Sequence, residues 1–145
     1  MVEWGRTEVA GISDRAEIIT ASLGLVSERC ADPTPLVYGR LFAANPQMRE
    51  LFVRDQNDSI KGHMLYQVLE AVLDFEGRGA YARNLIRSEI VNHENLGVPP
   101  DVFATFFTVV METFRDVLGD DWTAEVDGAW RGAIADLDAV TAAHA

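Results

Sequence analysis

The sequence predicts an all-α protein of six to eight helices. Apolar residues recur every three or four positions along most of the chain, which is the spacing that puts them on one face of a helix. Few segments alternate apolar and polar residues, as half-buried strands do. Gly and Pro residues divide the pattern into helices of unequal length, two of them short. This is typical of helices that cross steeply around an interior pocket, and not of a regular four-helix bundle.

Three helical segments are predicted in the first third of the chain. Asp14 and Glu17 have the spacing of a capping box, so the first helix is expected to begin there. Asp32-Pro33 ends it. Pro35 suits the first turn of the second helix, where its missing N–H would be unpaired anyway. Asn45-Pro46 then interrupts the chain before a short helical turn.

The middle of the chain carries the clearest amphipathic pattern. A polar connection, Arg54 to Ser59, leads to a helix whose apolar stripe runs from Met64 to Leu73. Residues 76–79 form a polar link that contains two glycines. A shorter helix follows and ends near His93.

The last two helices have clear boundaries in the sequence. Pro99-Pro100 begins a long apolar helix that Gly119 closes, and Thr123 can cap the final helix. No composition change divides the chain, so we expect an N-terminal extension at residues 1–13 and a single domain at residues 14–142.

Composition excludes several classes of function. The 145 residues include 12 basic and 23 acidic ones, a net charge of −11. Such a charge disfavours binding to nucleic acid phosphates or to anionic lipid. Cys30 is the single cysteine, so no intrachain disulfide is possible, and neither a secretory signal nor a bilayer-spanning apolar stretch is found. These features predict a cytoplasmic protein without nucleic acid or membrane partners.

Few residues have the chemistry of a functional site. His93 lies at the end of an apolar helix, and imidazole is the commonest neutral metal ligand and one standard ligand of haem iron. Considered alone, His93 is more simply a cation at a helix C-terminus, where it interacts with the helix dipole. Zinc-protease, calcium-loop, phosphate-loop and nucleophile-elbow motifs are absent or incomplete.

Three stretches in order resemble bacterial globins and the globin domain of flavohaemoglobins. They are residues 36–52 (LVYGRLFAANPQMRELF), 92–103 (NHENLGVPPDVF) and 112–130, and His93 follows Phe52 by 41 positions. The similarity extends over residues 15–140. It implies a globin-like fold around a haem pocket, haem b (iron protoporphyrin IX) as the cofactor, and dioxygen, nitric oxide or carbon monoxide as the ligand.

The resemblance also implies roles for individual residues. His93 matches the proximal iron ligand, and Phe52 matches the phenylalanine that packs flat on the porphyrin. Tyr38 matches a distal tyrosine whose hydroxyl donates a hydrogen bond to bound dioxygen. Arg54 lies where many globins place a cation for a haem propionate, although a solvated surface arginine fits nearly as well. The other residues that we predict to line the haem pocket are Phe42, Val98 and Phe103.

The distal helix allows more than one register. If Leu65 lies over the iron, Lys61 takes the distal position and Gly62 lies at a tight contact between helices. A shifted register makes His63 or Met64 the distal residue. His63 could then ligate the iron itself and give a six-coordinate haem, or it could lie on the solvent side of the helix.

Two departures from flavohaemoglobins bear on the mechanism. The tyrosine that orients their proximal imidazole is replaced by Phe103, and no carboxylate matching their buried glutamate is found near the C-terminus. The 145 residues leave no room for the reductase domains of flavohaemoglobins, so we expect a redox cycle to need a separate reductase. Three hypotheses follow: a gas-binding globin, a nitric oxide dioxygenase, or a globin-like sensor or partner-binding protein, with or without haem. Either a monomer or a homodimer is compatible with the sequence.

Overall fold

The computed structural model describes residues 12–55, 57–76 and 80–144. These ranges form six α-helices and two 3₁₀ helices and contain no strand, which confirms the predicted all-α fold. The α-helices are α1 (Ile12–Arg29), α2 (Thr34–Ala44), α3 (Ser59–Glu76), α4 (Ala80–Asn95), α5 (Pro100–Leu118) and α6 (Ala124–His144); the 3₁₀ helices span Pro46–Phe52 and Gly119–Asp121. None of the helices in these ranges combines the length and apolar composition of a bilayer-spanning segment.

Most of the predicted helix boundaries are confirmed. Pro35 lies in the first turn of α2, and α5 begins at Pro100 and ends at Gly119, whose φ of 53° favours glycine. Thr123 caps α6, because its hydroxyl accepts a hydrogen bond from the backbone N–H of Val126 at 3.2 Å.

The predicted start of the first helix is wrong. The structure is already helical at Ile12, so Asp14 lies inside α1 and does not cap it. The N-terminal extension expected at residues 1–13 lies mostly outside the described residues, and its last two residues belong to α1.

One part of the core is centred on Trp130 of α6, whose side chain is almost fully buried. Its indole packs edge-on against Phe114 of α5 and lies 6.2 Å from the ring of Trp122. The indole N–H donates a hydrogen bond to the hydroxyl of Ser22 on α1 at 2.9 Å. This cluster therefore joins α1, α5 and α6, while the apolar faces of α2 to α5 surround a cavity.

Helix α4, which carries His93, is held at both of its ends. At its start, the carboxylate of Asp74 on α3 accepts a hydrogen bond from the backbone N–H of Ala82 at 2.8 Å. At its end, Gly97 adopts a φ of 91° and the N–H of Val98 bonds back to the carbonyl of His93 at 2.8 Å. This closing turn is a Schellman motif, and it satisfies carbonyls that the end of a helix otherwise leaves unpaired.

Candidate functional site

The cavity lies between α2, the 3₁₀ helix Pro46–Phe52, α3, α4 and α5, and its wall is almost entirely apolar. Its volume is about 90 Å³. Helix α5 contributes Phe103, Phe106 and Phe107 to the wall. The polar side chains in the wall are those of Gln67, Glu89 and His93. The polar chemistry of the cavity wall is therefore concentrated on α3 and α4.

The face of α3 that meets the cavity is defined by four residues at helical spacing, Met64, Gln67, Val68 and Ala71. Leu65 is buried but is not part of the cavity wall, and His63 is exposed to solvent. Among the registers considered from the sequence, this arrangement corresponds to the one with Met64 toward the pocket.

Lys61 does not line the cavity, and its surroundings explain where its side chain lies. A Cβ atom on Gly62 would lie 3.9 Å from the hydroxyl of Thr34, an ordinary contact distance, so no tight helix contact requires glycine there. Lys61 forms ion pairs instead, with its Nζ 3.1 Å from Asp55 and 3.0 Å from Asp58. The same Nζ lies 5.4 Å from the centre of the Phe52 ring. Lys61 is thus held at the start of α3, outside the cavity wall.

The carboxylate of Asp55 organises the beginning of α3. It accepts hydrogen bonds from the backbone N–H groups of Ile60 and Lys61, at 2.9 and 3.1 Å. Burial alone raises the pKa of Asp55, but these bonds and the Lys61 ammonium outweigh it and hold the pKa below its usual value. Burial lowers the pKa of Lys61, and its bonds to Asp58 and Asp55 reverse that effect and raise it. Both side chains therefore stay charged at neutral pH.

Tyr38 lies directly behind the cavity wall. Its ring centre is 5.4 Å from that of Phe52 and 5.3 Å from that of Phe106, two rings of the wall, and 6.0 Å from that of Phe42. The side chain is buried, and its hydroxyl has no hydrogen-bond partner within the described part of the chain. Burial, together with the charge of Asp55, raises the pKa of this phenol, so the hydroxyl keeps its proton. A buried hydroxyl without a partner is costly and calls for an explanation.

His93 is in the last turn of α4 and forms part of the cavity wall. Its Nδ1 lies 2.7 Å from the carbonyl oxygen of Glu89, one turn earlier. Because a carbonyl only accepts, Nδ1 carries the proton in this contact, and Nε2 keeps the lone pair that a metal binds. The ring packs edge-on against Phe103, with the two centres 5.0 Å apart. The imidazole is thus fixed in one tautomer and one orientation.

Sequence reasoning missed two polar residues of the wall. The carboxylate of Glu89 approaches His93, with Oε1 3.9 Å from Nδ1, although the sequence analysis looked for such a carboxylate only near the C-terminus. The spacing of four residues on one helix would have revealed it. Gln67 was also missed, and it lies three residues after Met64 on the same face.

The structure brings together part of the predicted site. Five of the predicted residues line the cavity: Phe52, Met64, His93, Val98 and Phe103. Tyr38 and Phe42 form an aromatic layer with Phe52. The remaining three lie elsewhere: Leu65 is buried outside the wall, Lys61 is ion-paired and Arg54 is exposed.

The residues present fit a haem in their chemistry. An apolar, aromatic wall suits a porphyrin, a fixed imidazole suits its iron, and the hydroxyl of Tyr38, just behind the wall, has no partner among the described residues. The described ranges hold no cluster of three or more His, Cys, Asp or Glu side chains that could bind a metal ion. The volume of about 90 Å³ is below the roughly 300–1,000 Å³ of sites for small organic ligands, so a flat tetrapyrrole requires the wall to move apart.

Comparison with protein families gives one match. The sequence pattern of the Globin family matches residues 36–141, which is most of the chain. The matched range runs from α2 into α6 and includes every residue of the cavity wall.

Proposed function

The chain belongs to the globin family, and from this premise we propose that it is a haem protein that reversibly binds dioxygen or another diatomic gas. In this proposal haem b occupies the cavity and His93 is the protein ligand of its iron. One observation carries the proposal: the imidazole of His93 lines an apolar cavity with its Nδ1 proton committed to the carbonyl of Glu89. That hydrogen bond leaves Nε2 as a neutral donor, the form in which imidazole binds metals.

His93 would hold the haem iron, and the bound haem would supply a metal centre that can bind a diatomic gas. The chain's own residues provide the surroundings. The aromatic side chains of Phe52, Phe103 and Phe106 line the cavity, and they would give a porphyrin apolar contacts and exclude water. Tyr38 provides a protonated hydroxyl that no other group among the described residues uses. This hydroxyl would donate a hydrogen bond to the gas and slow its release.

A second candidate function is favoured by the volume of the cavity. The wall leaves about 90 Å³ and its aromatic rings are in mutual contact. A globin fold that binds no haem and acts through a partner protein would keep this packing. The two candidates differ in whether the wall opens around a porphyrin.

The deciding experiment is reconstitution of the purified protein with haem, followed by absorption spectra of the ferrous form with and without carbon monoxide. We expect a Soret band that shifts when carbon monoxide is added. His93→Ala should abolish the five-coordinate ferrous spectrum, while His63→Ala, at an exposed histidine of α3, should leave it unchanged. A wild-type protein without a Soret band would refute the first candidate and support the second. If His63→Ala changes the spectrum as His93→Ala does, the assignment of the iron ligand is wrong.

A further inference from the structure

The carboxylate of Glu89 is held in place beside the imidazole of His93. Its Oε2 accepts a hydrogen bond from the side-chain amide of Asn92 at 3.1 Å, and its Oε1 lies 3.9 Å from Nδ1 of His93. The three residues lie within one turn of α4. Glu89 also forms part of the mostly apolar cavity wall and is only half-buried. Asn92 therefore fixes one carboxylate oxygen, and the other oxygen faces the imidazole.

Glu89 acts on the same nitrogen of His93 in two ways. Its backbone carbonyl accepts the Nδ1 proton at 2.7 Å, which fixes the tautomer. Its carboxylate at 3.9 Å is too distant for a hydrogen bond, so it acts through its negative charge. A negative charge beside the N–H stabilises positive charge on the ring and makes Nε2 a stronger electron donor. Glu89 thus acts on both the orientation of the imidazole, through its backbone carbonyl, and the donor strength of Nε2, through its carboxylate.

We propose that Glu89 is a positioning residue that sets the orientation and the donor strength of His93 toward a haem iron, with Asn92 holding its carboxylate. This inference rests on the proposed function. No carboxylate for this role was found near the C-terminus of the sequence. Glu89, four residues before His93, would supply one. The carboxylate is supplied from the helix of the ligand itself, so any change in α4 moves both groups together.

The test uses the reconstituted ferrous protein and two signals that gas turnover does not affect. One is the iron–histidine stretching frequency in the resonance Raman spectrum, and the other is the midpoint potential of the haem. Glu89→Gln removes the charge but keeps an oxygen for Asn92 and the backbone carbonyl for His93. We expect a lower stretching frequency, a more positive midpoint potential and haem affinity reduced by about tenfold or more.

Two further variants make the test specific. Asn92→Ala keeps the charge of Glu89 but releases it, so it should change both signals in the same direction by a smaller amount. It also serves if Glu89→Gln folds poorly. Glu28→Gln makes the same change of charge at an exposed residue of α1 and should leave both signals at their wild-type values.

The results of this test distinguish a failure of the role proposed for Glu89 from a failure of the proposed haem-binding function. Wild-type frequency and potential in Glu89→Gln, in a protein that shows a normal Soret band, would overturn the role of Glu89 alone. Reduced haem affinity with an unchanged frequency would show that Glu89 only supports the fold, and it would also overturn the inference. A wild-type protein that takes up no haem would refute the proposed function and the inference with it.

Discussion

Replacement of Tyr38 by Phe should have opposite effects on the empty protein and on its gas complex. The substitution removes one hydroxyl that is buried and has no partner, and it keeps the ring among Phe42, Phe52 and Phe106. An unsatisfied buried polar group costs about 1–3 kcal/mol. The small void that the hydroxyl leaves offsets part of this gain. In the haem-free protein we therefore expect the free energy of unfolding to rise by about 1 kcal/mol, which is roughly 2–4 °C in Tm.

In the gas complex the same hydroxyl is expected to be a hydrogen-bond donor. A hydrogen bond to a partly charged acceptor such as bound dioxygen contributes about 1.5–3 kcal/mol. Because about 1.4 kcal/mol corresponds to a factor of ten, its loss should speed dioxygen dissociation by about 10- to 150-fold. The residue would then be one that weakens the fold and strengthens gas binding.

Two assays measure these effects separately. Thermal or urea unfolding of the haem-free protein gives the change in stability, and stopped-flow displacement of dioxygen by carbon monoxide gives the dissociation rate. Tyr66→Phe is the matched control, because it removes a hydroxyl that is exposed on α3. A Tyr38→Phe protein that is less stable without haem, and whose dioxygen dissociation rate is unchanged, would refute the reasoning for both states.

Three other substitutions test how the fold supports the site. Ser22→Ala removes the acceptor of the buried Trp130 indole N–H and should cost about 1–3 kcal/mol in urea unfolding. Asp74→Ala leaves the N–H of Ala82 unpaired at the start of α4 and should cost about 0.5–2 kcal/mol in the same assay. Asp55→Asn should lower Tm at neutral pH. Its folded pKa lies below the usual 3.8, so the stability it contributes is present above that pH and is lost as the pH falls further.

Each of these substitutions has an internal control. Ser27→Ala alters an exposed serine of α1 and should leave stability within about 0.5 kcal/mol. Asp74→Asn keeps an acceptor oxygen and should cost less than Asp74→Ala. For Asp55→Asn, the difference in Tm from the wild type should shrink as the pH falls below about 3.8. A difference that stays constant to lower pH would show that the charge of Asp55 does not stabilise the fold.

The number of helices and most of their boundaries follow from the sequence because the signals are local. Pro35, Pro100 and Gly119 act through their own backbone geometry, so their neighbours in space matter little. The start of α1 is different. Asp14 and Glu17 have the spacing of a cap, yet the structure is already helical before them. Residues with the spacing of a cap can also lie inside a helix when the residues before them are helical.

The register of α3 could not be obtained from its apolar pattern. Met64 and Leu65 are adjacent and both apolar, and a shift of one residue rotates a helix by about 100°. Asp55 caps α3 and pairs with Lys61, and the apolar pattern encodes neither contact. Glu89 is a similar case. Its spacing from His93 could have been read from the sequence, but its position in a mostly apolar cavity wall could not.

The polar groups around Trp130 and those near the cavity differ in whether they have hydrogen-bond partners. Around Trp130 the indole N–H has its partner in Ser22, as a part of the core selected for stability should. Next to the cavity the hydroxyl of Tyr38 breaks this rule, because it has no partner among the described residues, and the charged carboxylate of Glu89 lies in a mostly apolar wall. Such departures persist when a bound ligand compensates for their cost. The two groups differ in their neighbours, since the carboxylate of Glu89 lies near His93, whereas the hydroxyl of Tyr38 forms no hydrogen bond within the described residues. In the proposed haem site, Glu89 would act on the iron ligand and Tyr38 would be left for the gas.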